Sequence, residues 1–181
     1  MQRLSKYKPL APLLSAVIVL GACNTNPSNA EHGDHPTPTL LLGTWASDCQ
    51  NENPKKPNSK YVVASDVISD SRLISYARLF EDEECTIASN PHIREFKVAL
   101  TFTGGRTETP LGSAFHVNEK LLERKQDGKR FSMGVGTTAY DIVLVKANRL
   151  YFGRPTSLNN GRSESTRHAE LITEAFYSKT D

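Results

Sequence analysis

The chain contains no His-Glu-x-x-His, no nucleophile elbow Gly-x-Ser-x-Gly, no phosphate loop G-x-x-x-x-G-K-[ST] and no Cys-x-x-Cys. Their absence removes the usual signatures of zinc peptidases, serine hydrolases, P-loop nucleotide enzymes and dithiol redox proteins. Also missing is a run of about 20 apolar residues, the length a helix needs to cross hydrocarbon. The one mostly apolar stretch of any length, Leu10 to Ala22, is 13 residues and is broken by Pro12. No acidic residue occurs before Glu31, while Arg3, Lys6 and Lys8 precede the apolar stretch; this is the layout of a secretory signal peptide. There is no basic excess either. Of the 22 Lys and Arg, three lie in the signal segment, which leaves 19 against 20 Asp and Glu, a net charge of −1 beyond it. Such a chain lacks the positive footprint that nucleic-acid binding requires.

The signal segment ends in Leu20-Gly21-Ala22-Cys23. These residues resemble the lipobox of bacterial lipoproteins, a resemblance confined to the first 23 residues. It implies cleavage after Ala22, a diacylglyceryl thioether on Cys23 and a fatty acyl chain such as palmitate on the new amino terminus. A single acyl chain holds a protein to a membrane only marginally, so two or more are needed for stable anchoring. Asn24 stands where aspartate favours inner-membrane retention in Gram-negative lipoproteins. The resemblance therefore implies an outer-membrane anchor, facing the periplasm or the cell surface.

With Cys23 committed to lipid, Cys49 and Cys85 remain as a pair in an oxidising compartment, and a disulfide between them is expected. Residues 23–39, rich in Asn, Pro and Thr, read as a flexible tether, and residues 40–181 as one domain. Within it the signals are those of strands. Lys60 to Ala64 is β-branched, and Arg72 to Phe80 places Ile74, Tyr76 and Phe80 on one face. In Phe96 to Phe102 apolar residues alternate with polar or small ones before Gly104-Gly105, which predicts a half-buried strand and then a tight turn. Phe131 to Val135, Ala139 to Val145 and Arg149 to Phe152 read as further strands, the last two joined by a hairpin turn at Lys146-Ala147-Asn148-Arg149. Thr166 to Tyr177 offers Leu171, Ile172, Ala175 and Phe176 at helical spacing and predicts a short C-terminal helix. The expected fold is an antiparallel small barrel or sandwich, mainly β, with that helix appended.

Gly43-Thr44-Trp45 resembles the G-x-W signature of lipocalins, whose tryptophan packs at the closed end of a barrel against a late arginine. Arg149 or Arg154 would fill that role here; the rest of the lipocalin pattern is not evident. Among candidates for chemistry, Glu31-His32-Gly33-Asp34-His35 groups imidazoles with carboxylates but lies in the tether, where no fold organises it for metal. His92 with Glu95, and His116 with Glu119, are three apart on strands, so each pair points to opposite faces. Glu81-Asp82-Glu83-Glu84 reads as a solvated acidic turn, and Lys120 to Arg130 as a segment of mixed sign. Gly134-Val135-Gly136 is too short for a nucleotide fingerprint.

These readings leave no catalytic residue, metal or cofactor to name. They point to a lipid-anchored envelope protein that works by binding, with a protein partner: an envelope assembly machine, or a hydrolase inhibited as by a lysozyme inhibitor or immunity protein. The alternatives are a lipocalin-type carrier of a small apolar ligand and an envelope hydrolase with a nonstandard carboxylate or histidine site.

Overall fold

The computed structural model describes residues 35–52 and 59–180. The signal segment, Cys23 and the tether as far as Asp34 lie outside the described residues, and so do residues 53–58 of the polar loop. Ten strands follow in chain order: β1 (Gly43–Ser47), β2 (Gln50–Asn51), β3 (Tyr61–Ser69), β4 (Arg72–Phe80), β5 (Ala88–Thr109), β6 (Gly112–Gln126), β7 (Lys129–Arg130), β8 (Thr138–Lys146), β9 (Arg149–Phe152) and β10 (Tyr177–Lys179). Eight of them close an antiparallel barrel in the order β1, β10, β9, β8, β6, β5, β4, β3, with β3 returning to β1. Closure leaves none of these strands with an open edge. β2 and β7 are two-residue extensions on β3 and β6.

Period-two alternation builds the wall. Phe96, Val98, Leu100 and Phe102 all face the interior, as their spacing predicts, and Val62, Ala64, Asp66 and Ile68 do so from β3. On β4 the expected strand forms over the expected residues with its faces exchanged. Leu73, Ser75, Ala77 and Leu79 are buried, whereas Tyr76 is exposed. Apolar residues occur at both parities there, and pairing with β3 and β5 decides which set turns inward.

Gly104-Gly105 does not end a strand. β5 runs on to Thr109, and its register with β6 shifts between Phe102 and Arg106, so the glycines form a bulge. The hairpin between β8 and β9 forms as expected. Ala147 and Asn148 both take positive φ, 50° and 56°, the requirement of a two-residue turn that matches the twist of its strands. Phe131 to Val135 makes no strand; it is a flap beside β6, held by Phe131 N–H to the carbonyl of Arg124 and Gly136 N–H to that of Leu121.

The predicted C-terminal helix is absent too. A 3-10 turn at Glu164–Thr166 leads into extended chain, with Ile172 N–H donating to the Phe152 carbonyl and Arg154 N–H to that of Glu170. Leu171 packs into an outer apolar cluster with Ile142, Leu144 and Tyr151, while the next residue, Ile172, joins the interior. Neighbouring residues facing opposite ways are a strand's geometry, and they need apolar cover on both sides of the segment. The barrel wall supplies one side and the interior the other.

Trp45 is fully buried, and its Nε1 donates to the carbonyl of Leu41 at 2.9 Å. The cation over its ring is Lys179, at 5.5 Å, and neither of the two arginines fills that role. Arg149 lies over Phe176 instead, and Arg154 pairs with Glu174. Cys49 and Cys85 are bonded across a sequence separation of 36, which ties the chain after β1 to the turn between β4 and β5. By restricting the unfolded chain, a link over such a loop contributes about 4 kcal/mol.

Candidate functional site

The strand registers give the barrel two distinct ends. At the entry end, His35 N–H donates to the Phe102 carbonyl, and Thr37 Oγ1 accepts from Ser71 N–H in the β3–β4 turn. Residues 35–39, read from sequence as tether, thus lie against the barrel. Lys146 Nζ donates to the Leu111 carbonyl, which places the β5–β6 and β8–β9 turns at this end as well. The far end carries the disulfide, the acidic turn and the flap that follows β7.

Between them a cluster of buried apolar side chains from β1, β3 to β6, β8, β9 and β10 packs together. The void bordered by Leu41, Ile68, Leu73, Leu100, Glu119 and Phe152 is about 10 Å³, room for one water at most. Ligand pockets run to several hundred Å³. Within this apolar cluster sit Asp66, Glu119 and Tyr177, each at most 5% exposed, with Ser75 opposite Asp66. Asp66 takes a hydrogen bond from Ser75 opposite it in register, yet its Oδ1 has no partner. Burial raises the Asp66 carboxyl to about 7 against the Ser75 hydrogen bond, which favours the charged form. Burial also raises Glu119 well above the carboxylate range, and the nearby Asp141 and Asp66 add to the effect. The Tyr177 hydroxyl is pushed up in the same way, first by burial and then by the two interior carboxyls.

A second polar cluster lies where the C-terminal segment crosses β8. Asp141 Oδ1 accepts from Ile142 N–H, Gly153 N–H and His168 Nδ1, at 2.6, 3.0 and 2.7 Å. Arg167 donates to the carbonyls of Val117 and Asp141 and to Asn118 Oδ1. A Cβ on Gly153 would stand 2.2 Å from Asp141 Oδ1, and one on Gly161 2.6 Å from His168 Nε2. This Asp–His pair has the look of a catalytic dyad, but its free nitrogen is buried against Gly161 without a partner. Its geometry is that of a clasp holding residues 153–172 to the wall.

At the entry end, His35, Arg106, Phe115 and His116 border a cleft of about 280 Å³. The two imidazoles lie on Gly104 and Gly105, where side chains would collide with them. His116 Nε2 is engaged by Thr107 Oγ1 at 2.8 Å, and burial followed by Arg167 lowers its pKa. His116 lies outside the barrel and Glu119 inside, as the strand parity requires. His92 Nδ1 bonds the Leu79 carbonyl, while Glu95 meets Lys97 and Lys125.

The far end carries the exposed apolar surface. Leu122, Phe131, Met133 and Val135 are each more than two-fifths exposed, next to Lys120, Lys129 and Arg130. The acidic turn folds on itself: the Asp82 carboxylate accepts from Thr86 and Ile87 N–H, and Glu81 pairs with Lys60.

Comparison with known families, curated proteins and solved structures finds no match. Cys23 and residues 31–34 of the acidic histidine segment lie outside the described residues. Among the described residues no group of three or more His, Cys, Asp or Glu could hold a metal ion. Sequence reading missed the interior carboxyls and the Asp141–His168 clasp. The parity of Asp66 with Val62, Ala64 and Ile68 was the available signal for the first; nothing local marks the second.

Proposed function

We propose that this chain is a lipid-anchored protein of the bacterial envelope that binds a protein partner on the outside of its barrel. The observation that carries the reading is the packed apolar core, where the void bordered by Leu41, Ile68, Leu100 and Phe152 is only about 10 Å³. A carrier of small apolar ligands must enclose its cargo, and this barrel has spent that volume on its own side chains. Binding then falls to the outer surface, where the apolar rim of Leu122, Phe131, Met133 and Val135 at the far end is the anchor a partner would cover. A lipid on Cys23 would hold the entry end toward the membrane and leave that rim free. The lipobox resemblance supports the anchor, and the lack of usual catalytic signatures supports binding over turnover.

The test uses the full-length protein in its own envelope, with a photoreactive residue at Met133. Discrete protein adducts that disappear when Phe131→Glu is added are the expected result. Stoichiometric uptake of a fluorescent fatty acid with quenching of Trp45 would favour the carrier, and turnover of peptidoglycan or ester substrates would favour the hydrolase; either would sink the reading. Cys23→Ala should release the protein from membranes. Retention after a high-salt wash would refute the lipid anchor.

A further inference from the structure

The barrel closes through its shortest wall strand. β10 has three residues, where β3 and β4 have nine each. Its Tyr177 lies in register with Ser47 of β1 on one side and Leu150 of β9 on the other. Tyr177 faces inward, and its hydroxyl feels both interior carboxyls. Asp66 lies in register with Trp45 of β1, the strand that pairs with β10, so the shortest seam of the barrel lies beside a buried acid.

We propose that the carboxyl pair Asp66 and Glu119, together with β10, forms a proton-gated seam: protons on the pair keep the barrel closed, and their loss loosens β10 first. The groups facing the pair offer no compensating charge. β1 contributes Trp45 and Ser47, β3 Asp66 itself, β4 Ser75, β5 the apolar Val98 and Leu100, β6 Glu119, β9 Leu150 and β10 Tyr177. Asp141 of β8 adds negative charge and is held by His168, while Arg167 is turned to the carbonyls of Val117 and Asp141 and Lys179 is taken up over the Trp45 ring. Among the described residues no salt bridge reaches Asp66 or Glu119. Two carboxylates without a cation in an apolar interior must either keep their protons or draw in water. Water enters most cheaply where the fewest ladder bonds have to break, which is at β10.

The chain has one tryptophan, Trp45, buried beside this seam and in register with both Asp66 and Lys179. Hydrogen exchange of the intact protein, corrected for intrinsic rates and compared at pH 5 and pH 8.5, reads the seam directly. Protection of the amides of Tyr177 to Lys179 should fall at least about tenfold more than that of β3 and β4, the change expected when one group's proton is lost across a single pH unit. Trp45 emission should move to the red over the same range. Asp66→Asn and Glu119→Gln, two variants in case one fails to fold, should each reduce both responses. Equal loss of protection across all strands, no change with pH, or an undiminished response in both variants would overturn the proposal.

Discussion

Asp66 and Asp141 are both buried carboxyls in the wall of one small barrel, and they are treated in opposite ways. Asp141 lies in register with Val117 of β6 and meets the C-terminal segment, where three donors converge on a single oxygen. Asp66 faces inward with one hydroxyl partner and an oxygen that meets nothing. Burial is similar, so burial does not set the role; the supply of donors does. The Asp141 site gains donors because an irregular segment leaves N–H groups off the ladder and brings an imidazole. The interior is walled by strands whose N–H groups are spent on the ladder, leaving only side chains to answer a carboxylate.

The comparison can be broken most forcefully by adding a third carboxyl to the interior. Leu100→Asp should cost about 4 kcal/mol or more, while Thr101→Asp, one residue on and facing outward, should stay within about 1 kcal/mol. Urea midpoints of the two variants give the difference, and equal losses would mean that β5 is not sided. Asp141→Ala leaves two N–H groups and His168 without an acceptor, for a loss of about 3–4 kcal/mol. The loss should be accompanied by proteolytic access to residues 153–172. If only stability fell and the segment stayed protected, the clasp would be misread.

Asp66→Asn should behave in the reverse sense. The folded carboxyl titrates near 7 and the unfolded one near 3.8, so the native state holds the proton more tightly between those values. The wild-type contribution is then complete below about pH 4 and lost as pH rises through 7. The amide has no such window, and the variant should gain on the wild type between pH 4 and pH 8 by about 2–4 kcal/mol, measured from unfolding curves at the two pH values. A parallel pH dependence in both proteins would remove Asp66 from the account. The smallest effect expected is that of Gly153→Ala, about 1–3 kcal/mol. Its new methyl would meet both Asp141 and His168, and thermal melting measures the loss.

Much of the barrel was legible in the sequence because alternation is local. Residues 96 to 102 carry their sidedness in their own order, and Ala147-Asn148 carries the turn. Where both parities are apolar, as in β4, the order of residues does not choose a face. Where an apolar pattern fits two periods, as in residues 171–176, it suggested a helix and the barrel made it extended. The Phe131–Val135 stretch has the composition of a strand but lies where β8 has already claimed the edge of β6 only as far as Lys120, so it becomes an exposed flap.

By itself the sequence determined the disulfide partners, the β class and the positions of most strands, since these depend on cysteine number, residue period and turn chemistry within a few residues. Only the tertiary structure decided that the strands close into a barrel, which face of β4 turns inward, and that Asp66 and Glu119, 53 residues apart in the chain, share one interior. Those outcomes depend on register between distant strands, and register is fixed by the sum of pairings around the closed sheet, a quantity that no single segment contains.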